Sequence, residues 1–434
     1  MTTAFEKLEK HMLIDGYRMI VDLDKSTPFY LQDKLTGDKY LDMFSFFASA
    51  PLGCNHPKVR TKEFMEKLGR VAVNKTANSD IYTDEMADFV DTFSRICMKD
   101  KFKYLFLISG GALAVENALK ASFDWKIRKN FQLGEKGLMG NQILHFQNAF
   151  HGRSGYTLSL TNTFDPRKIA YYPKFKWPRV KAPIIKFPLE ENLDEVKEAE
   201  KRSLEEINQA IVSNPKDIAA LIIEPIQAEG GDNHFRPEFI QELRKICDDN
   251  EMMLIFDEVQ TGIGLTGKMW AYEHFVKPDI IAFGKKVQVC GIMVDDRIDE
   301  VENHVFKESS RINSTFGGNL IDMVRSTRYL EIIEEDRLVE NARKVGEYLL
   351  KGLKDTCLAS KKIMTNARGR GLMCAFDLPT TEMRDKMKAV AFKNKMLLLG
   401  CGEKTIRFRP PLCIDEEHID ESLAIFAKCC KEIS

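Results

Sequence analysis

Apolar segments of strand length alternate with helical segments from residue 104 onward, and this alternation restricts the fold more than any other feature of the sequence. YLFLISGG, which begins at Tyr104, enters a glycine turn, and ALAVENALKASFDWKIRK follows it with helical periodicity. Further apolar runs occupy residues 142–150, 218–226, 252–260 and 279–285. Strands that alternate with helices predict a mostly parallel sheet covered on both faces. In such a sheet, ligands bind at the carboxyl ends of the strands.

The pattern changes after about residue 318. A long helix is predicted from Asn319 to Lys354, followed by the short strands GLMCAFDL and TIRFRPPL and by a closing helix from Asp415. This order predicts a smaller α+β domain. We therefore divide the 434 residues into an N-terminal segment at 1–50 that joins the small domain, a large domain at 51–318 and a C-terminal small domain at 319–434.

Charge and cysteine content exclude several classes of protein. The 64 basic and 65 acidic residues nearly cancel, which argues against binding to nucleic acid or to an anionic membrane. The N-terminus MTTAFEKLEKHML carries charges where a secretory signal needs apolar residues, and no apolar run is long enough to span a bilayer. The ten cysteines form no C-x-x-C pair. We expect a cytoplasmic protein with reduced thiols and no metal, which acts on small molecules.

Two strand ends carry residues suited to holding a charged ligand. Gly110 and Gly111 occupy a strand-to-helix turn, where free backbone N–H groups and the helix dipole can bind a phosphate. The turn is neither G-x-G-x-x-G nor a Walker loop, and many Gly-Gly turns only permit tight geometry. Asp257 ends an otherwise apolar strand, where an unpaired carboxylate is costly to desolvate. A structural ion pair or a helix cap would explain Asp257 equally well, so both alternatives stay open.

The segment DIIAFGKKVQVCG places Lys285 beside Lys286 just after a predicted strand. Adjacent residues of an extended segment point to opposite faces. Both lysines therefore cannot reach one ligand atom from a regular strand end. The residues alone do not decide which of the two faces the ligand.

Seven pieces of the sequence resemble the class III pyridoxal-phosphate aminotransferases, in the order that this family shows. They span residues 109–412 and read SGGALAVENALK, AFHGR, EPIQAEGG, FDEVQTG, FGKK, NSTFGG and RFRPPL. Within the class, FGKKVQVCG, NSTFGGNLIDMVR and GRGLMCAFDLPTT are most similar to the L-lysine 6-aminotransferases. The resemblance implies an α/β protein of fold type I, with a mostly parallel seven-stranded sheet in the large domain and a smaller α+β domain.

The resemblance also implies which residues hold pyridoxal phosphate. Lys285 would form the Schiff base with the cofactor, and Asp257 would keep the pyridine nitrogen protonated so that the ring can act as an electron sink. The remaining predicted contacts surround the ring and its phosphate. They are Gln260 at the phenolic oxygen, Val259 and Phe150 on the two ring faces, Gly111 and Ala112 at the phosphate, and Thr315 reaching the phosphate across a homodimer interface.

Two arginines match the family's carboxylate-binding positions. A planar guanidinium binds a carboxylate bidentately, and an enzyme that transfers a terminal amine must hold a remote carboxylate. Arg153 in AFHGR matches the arginine that holds the amino donor, whereas Arg407 in RFRPPL matches the one that binds the α-carboxylate of the keto acid. Arg409 would share a strand face with Arg407, so periodicity does not separate them and the family motif assigns Arg407.

Four further residues are implied to serve substrate selection. Glu229 in EPIQAEGG would pair with Arg407 in the amine half-reaction and move aside for the keto acid, although a solvated loop acid is the plain alternative. Phe46 and Ala48 in FSFFASAPLGCNHP would line the pocket for the substrate's aliphatic chain. Asn313 in NSTFGG would support the loop beside the substrate rather than catalyse.

The resemblance implies transfer of the ε-amino group of L-lysine to 2-oxoglutarate by a ping-pong mechanism. The products would be L-glutamate and 2-aminoadipate 6-semialdehyde, which cyclises to piperideine-6-carboxylate. A 4-aminobutyrate or ornithine aminotransferase is the nearest alternative. A pyridoxal-phosphate decarboxylase, racemase or aminomutase, or a binding protein without activity, comes after these.

Overall fold

The computed structural model describes residues 3–360 and 363–433. Its strands, in chain order, are β1 (Tyr30–Gln32), β2 (Lys39–Asp42), β3 (Tyr104–Ile108), β4 (Gln142–Phe146), β5 (Arg179–Val180), β6 (Ile218–Ile223), β7 (Ile226–Gln227), β8 (Asn233–His234), β9 (Met253–Asp257), β10 (Ile280–Phe283), β11 (Cys290–Val294), β12 (Thr365–Arg370), β13 (Met373–Asp377), β14 (Met396–Leu397), β15 (Leu399–Cys401) and β16 (Thr405–Phe408).

The helices are α1 (Ala4–Glu9), α2 (Ser45–Ala48), α3 (Lys62–Ala72), α4 (Asp84–Phe93), α5 (Gly111–Gln132), α6 (Gly155–Leu160), α7 (Leu189–Ser213), α8 (Pro237–Asp249), α9 (Leu320–Glu335), α10 (Leu338–Ala359), α11 (Thr381–Lys393) and α12 (Glu416–Ile433). One of them is unusual. All four residues of α2 have positive φ, from 39° at Ser45 to 62° at Ala48, so α2 is a left-handed turn.

A seven-stranded sheet in the order β3-β11-β10-β9-β6-β4-β5 lies at the centre of the molecule. Strand β11 runs antiparallel to both its neighbours, and the other pairs are parallel. Every residue of β6, β9 and β10 is buried. Strands that are covered on both faces have continuous apolar sequences. Such apolar runs are what predicted β6, β9 and β10. The mostly parallel seven-stranded sheet is confirmed.

The sequence located some elements and missed others. The apolar runs predicted β3, β4, β6, β9 and β10, although each strand ends sooner than its run. The prediction of one long helix from 319 to 354 was wrong in one respect. It is two helices, α9 and α10, because Arg337 between them adopts the left-handed conformation with φ 50°. The predicted closing helix is confirmed as α12.

Two smaller sheets contain strands from the C-terminal part of the chain, and one of them also includes N-terminal strands. Strands β12, β13, β16 and β15 form an antiparallel sheet near the C-terminus. The N-terminal strands β1 and β2 form a second sheet together with β14, which pairs parallel to β2 through Met396 and Leu41. This pairing supports our proposal that residues 1–50 join residues 319–434 in a small domain beside a large domain at 51–318.

None of the helices in residues 3–360 and 363–433 is long and apolar enough to cross a bilayer.

Candidate active site

A cavity of about 390 Å³ opens at the carboxyl end of the central sheet. It brings together residues that are far apart in the sequence. Its walls consist of Gly111, Ala112, Phe150, His151, Gly152, Arg153, Glu224, Glu229, Asp257, Val259, Gln260, Lys285 and Cys290. Parallel strands end at one edge of a sheet, so loops that follow different strands meet there.

The first turn of α5 forms one wall of the cavity. Gly110 precedes the helix with φ 106°, a conformation that favours glycine. A Cβ atom on Gly111 would lie 2.9 Å from Cγ1 of Val259, so the glycine lets the helix start approach the residue after β9. The first N–H groups of a helix have no acceptor within the helix and bind anions. This wall is therefore suited to a phosphate group.

The Asp257 carboxylate is fixed by two hydrogen bonds at the end of β9. The ring Nδ1 of His151 lies 2.8 Å from Oδ2 of Asp257, and both side chains are buried. The backbone N–H of Val259 donates to Oδ1 at 3.1 Å. Sequence reasoning assigned no role to His151, although the histidine stands inside the quoted AFHGR motif. The pair leaves a buried, oriented carboxylate facing the cavity.

Glu224 supports the same wall from the end of β6. Its carboxylate accepts the backbone N–H groups of Phe150 at 2.9 Å and Ala228 at 3.1 Å. Burial raises the pKa of Glu224, His151 opposes that rise, and Asp257 adds to it. Sequence reasoning assigned no role to Glu224, which lies in the apolar run of residues 218–226. Its two bonds fix the backbone positions of the loops that carry Phe150 and Glu229.

The two adjacent lysines have different surroundings. Lys285 lines the cavity, whereas Lys286 is buried and its Nζ donates to the backbone carbonyl of Gln260 at 2.7 Å. Burial, together with the positive charges of Arg407 and Arg409, lowers the pKa of Lys285 from 10.5 to about 8. The expectation of an extended segment was wrong, because residues Lys285–Val287 form a 3₁₀ turn and Lys285 itself has φ 46°.

Gln260 connects the cavity with two arginines. Arg407 lies in β16, and Arg409 follows that strand directly. Its Oε1 accepts from Arg407 Nη1 at 3.2 Å and from Arg409 Nε at 3.3 Å. These two donors orient the amide, so its NH₂ group is left as a donor for a ligand. Arg409 is otherwise engaged by Asp232, whose Oδ1 accepts from Nη2 at 2.5 Å. Arg409 is thus held by buried protein groups.

Arg407 has a different set of partners. Its Nη2 lies 2.7 Å from Oε2 of Glu229, and its side chain is 1% exposed. The Nε atom is buried and finds no acceptor in the part of the chain that the structure describes. A buried donor without an acceptor is costly, and a bound carboxylate would satisfy it.

Glu229 is shared between two cations. Its second oxygen, Oε1, lies 2.6 Å from Nζ of Lys168. Burial alone would raise the pKa of Glu229, yet Arg407 and Lys168 together hold the pKa below its usual value. The carboxylate is therefore ionised and bridges the site to the loop of residues 163–168. Sequence reasoning missed Lys168, because no motif connects residues 61 positions apart.

The remaining predicted residues lie in different places. Arg153 is exposed at the edge of the cavity. Thr315 and Asn313 lie outside the walls of this cavity on an exposed segment, where the Thr315 carbonyl accepts from Ser79 Oγ at 3.1 Å. Phe46 borders a separate cavity, and Ala48 is buried. Within one chain, Arg153 therefore borders the cavity, whereas Thr315, Asn313, Phe46 and Ala48 do not.

Comparison with known proteins identifies the family. The profile of the aminotransferase class-III family matches residues 14–430. The L-lysine-epsilon aminotransferase of Streptomyces clavuligerus is 48% identical over 425 residues, which cover 97% of this chain and 93% of that protein. The human mitochondrial 4-aminobutyrate aminotransferase is 32% identical over 437 residues, covering 95% and 85%. The chain belongs to the class III aminotransferases.

A solved structure agrees with this assignment. The lysine aminotransferase from Mycobacterium tuberculosis in the internal aldimine form superposes with a TM-score of 0.97 at 48% identity, and 99% of each chain is covered. The predicted fold, fold type I of the pyridoxal-phosphate-dependent enzymes, is confirmed.

The cofactor of this family is pyridoxal phosphate, and the cavity fits it. The oriented Asp257 carboxylate suits a protonated pyridine nitrogen, and the free amide donor of Gln260 suits a phenolic oxygen. The N-terminus of α5 supplies amides for a phosphate at the opposite wall. Lys285 provides a primary amine whose pKa, about 8, leaves a large fraction neutral at weakly alkaline pH.

Proposed function

We propose that this enzyme transfers the ε-amino group of L-lysine to 2-oxoglutarate. The products are L-glutamate and 2-aminoadipate 6-semialdehyde, which cyclises to piperideine-6-carboxylate. One observation carries the proposal. The buried Arg407 has an unpaired Nε donor, and the Glu229 carboxylate pairs with its Nη2 beside Lys285. The 48% identity to an L-lysine-epsilon aminotransferase supports lysine as the donor.

We propose that residues around the cavity that Lys285 lines hold pyridoxal phosphate. When bound, pyridoxal phosphate carries the amino group and stabilises the electron pair left on the substrate carbon. Asp257 holds the ring nitrogen protonated, and His151 fixes that carboxylate. Gln260 donates to the phenolic oxygen. The remaining contacts are with the ring faces and the phosphate, namely Phe150, Val259, Gly111, Ala112 and, from the partner subunit, Thr315.

Lys285 attaches the cofactor and moves the proton of the reacting carbon. A general base works best when its pKa is near the operating pH. Burial and the two arginines lower the pKa of Lys285 to about 8, which brings the amine into that range. Lys286, engaged with the Gln260 carbonyl, has a structural role in this proposal.

Two arginines bind the substrates in turn. Arg153, at the exposed edge of the cavity, holds the carboxylate of lysine while the ε-amine reaches the cofactor. Arg407 holds the α-carboxylate of 2-oxoglutarate, so that the neighbouring ketone is presented instead. While lysine is bound, Glu229 neutralises Arg407 and prevents the α-carboxylate of lysine from binding there. The enzyme must release one product before it binds the other substrate, which gives ping-pong kinetics.

A homodimer completes the site in this proposal. Residues 313–317 pack against residues 78–79, through bonds from Asn78 Nδ2 to the Phe316 carbonyl and from Ser79 Oγ to the Thr315 carbonyl. Large apolar side chains between residues 46 and 82, together with Phe316, are exposed in the single chain, and a second subunit would cover them. They are Phe46, Phe47, Met65, Ile81, Tyr82 and Phe316. Phe46, Ala48 and Asn313 would then contact substrate or support the loop across the interface.

Isotope labelling tests the transfer directly. The enzyme is given L-lysine with heavy nitrogen at the ε position and 2-oxoglutarate, and glutamate is analysed by mass spectrometry. We expect labelled glutamate, whereas unlabelled glutamate from turnover would exclude ε-transfer. Parallel reactions with 4-aminobutyrate and ornithine rank the alternative donors. A reaction without any keto acid separates an aminotransferase from a racemase, aminomutase or decarboxylase, since only the latter would turn over.

A further inference from the structure

A second cavity lies directly behind Glu229. Its volume is about 430 Å³, and Glu229 is the residue that borders both this cavity and the one that holds Lys285. The second cavity is formed by the loop 163–168, by α11 and by residues 400–402. We call it the rear cavity. The mechanism described above assigns it no role.

Two lysines of the rear cavity are placed to interact with Glu229. Lys168 already binds its Oε1 at 2.6 Å. Lys388, on α11, is partly buried, and the charges that act on it include Glu229 and Arg407. Among residues 3–360 and 363–433, the Lys388 amine forms no ion pair. Burial lowers the pKa of Lys388, and the charges of Asp385 and Glu229 oppose that shift.

The two arginines of the rear cavity are already engaged. Arg384 binds Asp385 at 2.9 Å and the carbonyl of Gly402 at 2.7 Å. Arg167 binds Asp165 at 2.8 Å, and its side chain is 89% exposed. A carboxylate that entered the rear cavity would therefore meet Lys168 and Lys388 as the available cations.

The backbone of Glu229 is fixed in place. Its carbonyl accepts the N–H of Gly402 at 2.9 Å. A Cβ atom on the next residue, Gly230, would lie 2.1 Å from the carbonyl oxygen of Asn148, so the two backbones are in close contact. Glu229 can therefore leave Arg407 by rotation of its side chain and does not require a loop movement.

The carboxylate needs a positive partner after it leaves Arg407. An ionised carboxylate that is buried without one is strongly unfavourable, and its cost would be added to the binding of the keto acid. Lys168 already binds Glu229, and Lys388 borders the same cavity, so these two amines are the positive partners that the rear cavity offers.

We propose that the rear cavity receives the Glu229 carboxylate when Arg407 binds 2-oxoglutarate, with Lys168 holding it in both states and Lys388 holding it in the open state. The inference rests on the proposed function, because it assigns the destination of the proposed gate. Lys168 and Lys388 are positioning residues that act on Glu229, and Lys388 sets the affinity for the keto acid through it.

The two half-reactions of the holoenzyme test the proposal separately. Single-turnover absorbance measures the reaction with lysine alone, and then the reaction of the amino-loaded enzyme with 2-oxoglutarate. We expect Lys388→Met to raise the half-saturating 2-oxoglutarate concentration about tenfold, the loss of one charge-assisted hydrogen bond that only the open state makes. Lys168→Met should raise it much less, because Lys168 holds Glu229 in both states and its loss largely cancels. In Lys388→Met, the rate of the lysine half-reaction should stay within about twofold of the parent rate, since Glu229 remains on Arg407. Lys388→Arg should restore the affinity for 2-oxoglutarate.

A control variant and a second background complete the test. Arg167→Met removes a positive charge from the same cavity but leaves both lysines, and it should change neither half-reaction. In a Glu229→Gln background, Lys388→Met should have no further effect on 2-oxoglutarate binding, because the charge that Lys388 holds is gone. An unchanged loss in that background would show that the lysine binds the keto acid itself, and this overturns the proposal.

The outcomes also distinguish failure of the proposed Glu229 gate from failure of the proposed role of the rear cavity. If Glu229→Gln leaves both half-reactions unchanged, the proposed gate itself fails. If Glu229→Gln changes the selection between substrates while Lys388→Met binds 2-oxoglutarate as the parent enzyme does, only the rear cavity is refuted.

Discussion

Lys285 and Lys286 are neighbours in the chain, but they occupy different environments. Lys285 faces the cavity, and Lys286 is buried against the carbonyl of Gln260. The difference arises from the 3₁₀ turn that follows β10, which directs successive side chains to different sides. One residue is thereby available to a ligand and the other to the interior.

Methionine substitutions should separate the two lysines. Lys285→Met should lose the covalent attachment of the cofactor and about 10³-fold in turnover, because both the amine and the proton carrier are removed. Lys286→Met should keep the attachment and lower the free energy of unfolding by no more than about 2 kcal/mol, since a single buried hydrogen bond is lost. Borohydride reduction followed by mass spectrometry measures the attachment. Retention of a reducible cofactor in Lys285→Met would refute the assignment.

The lowered pKa of Lys285 predicts how the cofactor-free enzyme takes up pyridoxal phosphate at different pH. The neutral amine is the nucleophile, and it predominates above its pKa of about 8. The rate of attachment should therefore rise with pH up to about 8 and level off above it. Arg407→Met removes a positive charge that lowers this pKa, so its midpoint should move to higher pH. Arg167→Met, a distant charge change, should leave the midpoint in place.

At the scale of single elements, the start of α5 is built for close approach. Gly111 lets the first turn of the helix contact Val259, and Gly110 supplies the left-handed conformation that precedes it. The same turn leaves helix N–H groups free at the wall of the cavity. The packing of α5 against Val259 and the binding of a ligand at the start of α5 thus both depend on Gly111 having no side chain.

Gly111→Ala should weaken cofactor binding. The added methyl group would lie 2.9 Å from Cγ1 of Val259, a branched side chain that cannot easily rotate away. We expect an increase of about tenfold in the dissociation constant of the cofactor. Gly155→Ala is the matched control, because a Cβ at that helix start meets nothing closer than 3.9 Å. Equal cofactor affinity in the two variants, measured by fluorescence titration, would contradict the role given to Gly111.

Apolar runs predicted the strands that are buried on both faces, because only such strands need continuous apolar sequence. Strand β5 has two residues, and β11 follows a short turn after β10, so neither produced a separate run. The pairing of Glu229 with Arg407 and Lys168 joins three distant segments. Family motifs indicated the first partner, but Lys168 could be found only from the folded chain.

At the scale of the whole molecule, one residue of the proposed cofactor site lies away from that site in the single chain. Thr315, which the family motif assigns to the phosphate, lies outside the walls of the cavity. Phe316, the next residue, has an exposed aromatic side chain. Both observations support the proposed homodimer with shared sites.

Mixed dimers test this sharing. A Lys285→Met chain and a Thr315→Val chain are each impaired at limiting cofactor, but a dimer of the two contains one site with both native residues. We expect that mixing equal amounts of the chains, with mild dissociation and reassociation, recovers about a quarter of the parent activity, because half of the dimers are mixed and each of these has one complete site. If both residues served the same chain's site, mixing would recover nothing. Sedimentation of the parent enzyme provides the dimer mass.

The left-handed turn at Ser45–Ala48 has a consequence for protein engineering. Each non-glycine residue in this conformation disfavours folding by about 1–2 kcal/mol. A programme that selects only for heat resistance would therefore replace Phe46 and Phe47 with glycine early. Both aromatic side chains are exposed in the single chain, so their contribution to assembly would be invisible to that selection. We expect thermostability and activity to trade against each other first at these four residues.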